Sequence, residues 1–407
     1  MSEVKVNKLS PRSGTTVTIG DSGDTINVVG TLQNNGSAVE VDSVTFKEGG
    51  TNFTNSLLVG TSSTGTLSSA EGNTGVGLGV FAALTSGDSN VAVGLSSLAA
   101  NTTGIQNTAL GFKTLCANTT ASGNIAVGAF SLQTNTEGLS NVAIGTCQPS
   151  GYGAALELNT TGDCNVAVGN GALRSNTTAD NNTAVGTLAS GCNTTGTNNT
   201  AVGKMALQNN TTANGNTAVG YISLQTNTTG ANNSALGLET LNKNTTGASN
   251  TAIGRSALEK NTTGNQNTAA GMNAMKATTT GSLNAAVGDY SLDANTTGTR
   301  NASLGSESLG SNTTGSDNTG IGQCALKTLT TGNNNTAVGS GALKLQTTSV
   351  ENVAVGMNSA TNTTTGDYNV SVGPASLLAQ TTGACNTAVG MQSGCAMLVG
   401  YQNVMAA

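Results

Sequence analysis

The chain has 407 residues, a net charge of −6, 8% charged residues, 56 glycines and no histidine or tryptophan. Charge this sparse, against roughly 25% in ordinary soluble domains, and without a basic stripe, argues against nucleic acid as a partner. No apolar run approaches the ~20 residues that cross a bilayer, so membrane insertion is not expected. With no clustered acids and no metal-ligand spacing, no catalytic residue, metal or cofactor is expected either.

Residues 1–55 hold a dense set of charges, among them Glu3, Lys5, Lys8, Arg12, Asp21, Glu40 and Lys47. The opening MSEVKVNKLSPRSG lacks the apolar core of a signal peptide. Thr15–Ile19 and Val39–Phe46 alternate as strands do. This segment reads as β-rich and separate from the remainder of the chain.

Between Asn73 and Gly390 a variant of N-x-A-V-G recurs nineteen times. The spacing is 17 residues at every step except one of 24, from Gly145 to Gly169. So strict a short period predicts one unit stacked on itself: a β-solenoid or β-roll rod over residues 56–390. With the recurring glycine numbered 0, the unit reads G-x-x-A-L-x-x-N-T-T-G-x-x-N-T-A-V. Position −1 is Val, Ile or Leu except at Ala270, +4 is mostly Leu, and −2 and +3 are small. Two strands per coil are expected, at N-T-A-V and x-x-A-L-x-x, with −1 and +4 in the core. Charges avoid those places: Lys204 and Arg255 fall at +1, Glu239 at +2, Lys276 at +5, Asp180 at +11 and Asp317 at +12.

Asn at −4 (Asn90, Asn107, Asn182, Asn250) predicts a side-chain amide ladder along the stack. Gly at 0 (Gly94, Gly111, Gly186, Gly254) predicts φ > 0 or a close backbone approach. The second glycine, at +10, gives way to Ala121, Ala179, Ala213 and Ser349, so its requirement is softer. N-T-T-G then reads as the outer loop. Such a coil has a thin core, so ladders must supply much of the stability. Small residues at −2 and +3 suggest that a second surface comes close, hence a homotrimer, with a single-chain solenoid as the alternative.

The long step holds seven extra residues, Thr146–Tyr152, with register returning at Ala155-Leu156. They are expected to form a surface loop carrying Pro149 and Tyr152. Gly390 to Gly400 is only 10 residues, so residues 391–407 read as a shortened terminal cap. The seven cysteines occupy unrelated registers, which suggests buried or half-buried thiols rather than a disulfide framework.

The string Asn250-Thr251-Ala252-Ile253-Gly254-Arg255-Ser256-Ala257-Leu258 is similar to the head repeats of trimeric autotransporter adhesins, which form a trimeric parallel β-roll. The resemblance covers residues 56–400, at a longer period than that family's usual one and without its secretion signal, stalk and anchor barrel. The N-T-T-G-x-x-N-T-A-V-G arrays also resemble those in tail fibres and virion appendages of marine bacteriophages. The segment 6–18, VNKLSPRSGTTVT, resembles N-terminal segments of structural proteins from such phages. What this implies is a homotrimeric virion fibre, assembled in the host cytoplasm, joined to other tail or capsid proteins through residues 1–55. It would meet a host surface receptor such as a glycan. Contact is expected at Pro149, Tyr152, Phe112, Tyr221, Tyr290 or Tyr401. A cell-surface adhesin is the alternative. An ice-binding solenoid is a third reading, on stacked pairs such as Thr102-Thr103 and Thr211-Thr212.

Overall fold

The computed structural model describes residues 39–41, 44–60, 64–147 and 151–406. Over these residues the chain is all-β, a parallel β-solenoid whose coils each add one short strand to a 23-stranded sheet. β1 (Val39–Val41) and β2 (Val44–Glu48) pair antiparallel, followed by β3 (Phe53–Thr54) and β4 (Leu57–Val59). β2 lies antiparallel on β4 and so covers the edge of the first coil. β3 pairs with β5 (Ala70–Glu71) in a small second ladder. From β4 onward the main sheet is parallel. Leu57 faces Thr74 of β6 (Thr74–Val76), Thr74 faces Val91 of β7 (Val91–Val93), and the series runs on to β25 (Val404–Ala406). At ~4.8 Å per coil, roughly twenty coils give a rod of about 95 Å.

Only T-A-V is a strand. The run x-x-A-L-x-x, expected as a second one, is a pair of tight turns. In the coil of Gly94, φ is +56° at Ser96 and +48° at Leu98, which no extended segment adopts. Ser97 N–H donates to Gly94 O and Asn101 N–H to Leu98 O, both at 3.3 Å. The intervening N–H groups bond along the axis: Ser96 to Leu78 O (2.8 Å), Leu98 to Thr114 O and Ala100 to Cys116 O (both 3.1 Å). A left-handed leucine is uncommon and costs on the order of 1–3 kcal/mol. Full burial of Leu98 contributes about as much in return.

The core is therefore narrower than the sequence suggested. A strand alternates its faces. With Ala252 buried, Thr251 and Ile253 both turn outward, and Ile253 is 47% exposed. The aliphatic residue at −1 is a surface residue, not a core one. The small residues at −2 and +3 do not make room for a second chain, because the surface that comes close is the opposite wall of the same coil. A β-carbon on Gly75, at −2, would meet Val80 at 2.9 Å and Phe81 at 3.1 Å, the +3 and +4 residues of its own coil.

Two asparagine ladders run inside the rod. At −4, Asn250 donates its N–H and its Nδ2 to Asn233 Oδ1 (3.0 and 3.1 Å), and Nδ2 also to Gly264 O (2.9 Å). At +7, Asn244 Nδ2 donates to Asn227 Oδ1 (2.8 Å) and to Gly247 O (2.9 Å). The first residue of N-T-T-G is thus interior, and only its threonines reach the surface. Thr245 Oγ1 donates to Thr262 O at 3.0 Å, so even this half-buried hydroxyl serves the stack. The Asn-x-Thr asparagines Asn101, Asn176 and Asn295 are fully buried, so a folded coil withholds them from glycosylation.

The insertion leaves the ladder intact, since Val142 and Val166 pair in register across the 24-residue step. The C-terminal coil is not shortened. β25 pairs with Thr387–Val389 at the usual 17 residues, and Asn403 donates to Asn386 Oδ1 at 2.8 Å as a −4 residue does. Gly400 fills the +10 place, accepting from Ala384 N–H and Asn386 Nδ2, rather than starting a new unit. None of the seven cysteines is buried. Cys116, Cys324 and Cys395 are half-buried and the other four exposed, because +2, +5, +6 and +12 all face outward.

Candidate interaction surface

The residues expected to form the frame lie in it. Asn90, Asn107, Asn182 and Asn250 are buried, and Asn107 N–H donates to Asn90 Oδ1 at 2.9 Å. Gly94, Gly111, Gly186 and Gly254 have φ between +118° and +140°. Each also lies against the glycine of the next coil, where a β-carbon on Gly186 would come within 2.7 Å of Gly203 C. The glycines themselves offer a partner nothing but backbone.

The outward sheet face is different. Positions −3 and −1 from Leu57 to Val404 carry no charged residue in any coil. Position −1 leaves large aliphatic groups open to solvent, with Val93 at 38%, Leu236 at 50% and Leu304 at 50% exposure. In the first coils Leu78, Leu95 and Phe112 at +1 widen this stripe. Sequence reasoning missed it, although the signal was present: a three-residue strand with Ala in the middle cannot also bury both neighbours.

The charges lie off the −3 and −1 columns, and some of them pair along the axis. Arg300 grips Asp317 with two bonds (Nε–Oδ1 2.6 Å, Nη2–Oδ2 2.7 Å). Lys327 Nζ meets Glu307 at 2.5 Å, and Arg174 meets Glu157 at 3.1 Å. The Arg300 hydrogen bond holds the Asp317 carboxyl below its ordinary range, and Lys327 does the same for Glu307. Asp293 goes the other way: burial, with Glu307 close by, raises its pKa. Such solvent-exposed pairs contribute little to stability.

The aromatic contact candidates do not converge. Phe112 packs edge-on against Phe130, with centroids 5.1 Å apart, and Lys113 Nζ stands 5.5 Å from its ring centre. Tyr221 is exposed at +1 several coils away, and Tyr401 is exposed at +11 on another wall. Tyr152 is half-buried at the end of the insertion, and Pro149 lies outside the described residues. Tyr290 borders a groove of about 240 Å³, with Asp293, Glu307, Gly310, Ser311 and Lys327. The signal for that groove was a small residue in the +5 column beside Tyr290 and Asp293: Gly310, like Gly191, stands where several other coils carry Gln133, Gln208, Gln225 or Lys276. Among the described residues no three metal-ligating side chains come together. No family model matches the chain, and no curated protein or solved structure matches it.

Proposed function

We propose that this chain is the structural subunit of a bacteriophage fibre or spike, a non-enzymatic homotrimeric rod for attachment to a host surface. In this reading residues 1–55 join the rod to other virion proteins, and its walls meet the receptor. The observation that carries the reading is the charge-free sheet face, continuous from Leu57 to Val404, with an exposed aliphatic column at −1 beside threonine, serine or aliphatic residues at −3. A strip about 95 Å long and some 10 Å wide has an area on the order of 900 Å² per chain, which is what a stable interface buries on each partner. Isolated apolar residues at a surface are ordinary, whereas a continuous strip of this size calls for a covering surface. The identical spacing of every coil makes another copy of this chain the matching cover. The strip is one strand wide, so three copies can bring their strips to a common axis.

Light scattering on the purified chain tests the assembly, with a mass near three times 39.8 kDa expected. A triple change at the −1 positions, Val185→Asp, Val202→Asp and Val219→Asp, should release monomers whose circular dichroism is unchanged. A wild-type particle near 39.8 kDa would sink the proposal. The virion assignment is tested by the neighbourhood of the gene: tail and capsid genes support it, and secretion genes support the cell-surface adhesin instead.

A further inference from the structure

The exposed wall around Gly310 departs from the repeat at several positions together. Tyr290 and Glu307 occupy +2 in successive coils, Asp293 and Lys327 occupy +5, and the +5 residue of the coil between them is Gly310. The missing side chain opens the groove, and a β-carbon there would sit 3.5 Å from Asp293 Oδ1. The opening spans two coil steps, ~10 Å along the axis, which is the length of one sugar ring with its substituents.

Its lining has a definite chemistry. Tyr290 borders the opening and is 42% exposed, so it brings an aromatic ring to its edge. Glu307 is already engaged by Lys327 at 2.5 Å. Asp293 is half-buried and makes no salt bridge among the described residues. Its carboxylate is an acceptor set part-way out of water, favourable for a ligand that brings hydroxyl donors. Ser311 and the lysine ammonium supply further polar partners at the rim.

We infer that this groove binds a pyranose ring of a surface glycan, stacked on Tyr290 with its hydroxyls donating to Asp293 and Glu307. The inference rests on the attachment reading and gives it a place and a ligand class. A pyranose presents one apolar C–H face and a ring of hydroxyls, and this pairing of aromatic face with carboxylates matches it. A purely anionic ligand fits poorly, because both acids border the opening.

Saturation-transfer NMR on the full chain tests this, using methyl glycosides of glucose, galactose, mannose and N-acetylglucosamine as probes. At least one glycoside should receive saturation from the wild-type protein. Gly310→Gln should abolish that signal at an unchanged melting temperature. The φ of Gly310 is not left-handed, and glutamine already stands at +5 in other coils. Tyr290→Ala should weaken binding at least tenfold. Transfer to none of the four probes, transfer that survives Gly310→Gln, or full-strength binding by Tyr290→Ala overturns the inference. Oligomeric mass separates the two readings: a glycoside-binding monomer would end the trimeric rod and keep the groove, and a trimer that binds no glycoside would do the reverse.

Discussion

Gly186 sits at φ +132°, and a β-carbon on it would lie 2.7 Å from Gly203 C. Both a forbidden backbone region and a backbone clash therefore oppose any side chain, and neither neighbour is a flexible group that can move aside. Gly186→Ala should cost about 2–5 kcal/mol, read as a shift of the urea midpoint. The other repeated glycine differs. Gly104 is not left-handed, and although a β-carbon there would crowd the Ala121 carbonyl, Ala121, Ala179 and Ala213 carry one at the same place in their coils. Gly104→Ala should therefore shift the midpoint by less than half as much. Asp293 allows a test of pH dependence. Burial raises the pKa of its carboxyl above the ordinary 3.8, so the folded state binds this proton more tightly than the unfolded one. Ionised Asp293 thus costs stability above the raised value and nothing below 3.8. Asp293→Asn should melt higher than wild type at pH 7, with the advantage closing as pH falls into the carboxyl range. An unchanged gap at all pH values would refute this assignment.

Each coil combines an element that follows ordinary rules with one that breaks them. Thr251-Ala252-Ile253 is a strand that period-2 alternation describes well. The 17-residue register, the buried −4 asparagines and the constraint on position 0 were all legible, because strict repetition amplifies each signal. The turn segment was not legible. It places Leu258 at φ +51° and Ser256 at +55°, conformations that local propensity assigns to glycine and asparagine. Contacts with neighbouring coils decide there, and no single-coil argument contains them. The +7 ladder was hidden for a related reason, since N-T-T-G looks like a polar loop until its Asn is seen to bond the coil before. The insertion tests how independent the elements are. Removing residues 146–152 joins Gly145 to Gly153 and leaves Ala155 and Leu156 at +3 and +4. Ala375 already holds the left-handed φ that Ala154 would adopt at +2. The deletion should keep a cooperative melt within a few degrees of wild type. Loss of that transition would mean that the loop, and not the ladder beneath it, organises this stretch.

For the whole molecule, register matters more than length. Every coil bonds only the coils before and after it, as in Asn233 to Asn250 to Asn267, so stability is nearly a sum of like terms along one axis. Removing whole coils should then shorten the rod without harming it. Deleting residues 187–237 takes out three complete coils and joins Gly186 to Leu238 as position 0 to +1. Scattering should show a maximum dimension smaller by ~14 Å, with circular dichroism per residue unchanged. Deleting only residues 187–194 removes less chain, yet it brings Thr195 to +1 and displaces every later residue of that coil. The −4 asparagine then has no Oδ1 beneath it, and buried amide groups go unpaired at about 1–3 kcal/mol each. The smaller deletion should thus be the more damaging one, losing its cooperative melt while the larger keeps it. Equal damage from both would mean that the rod depends on contacts between distant coils, which a nearest-neighbour stack does not have.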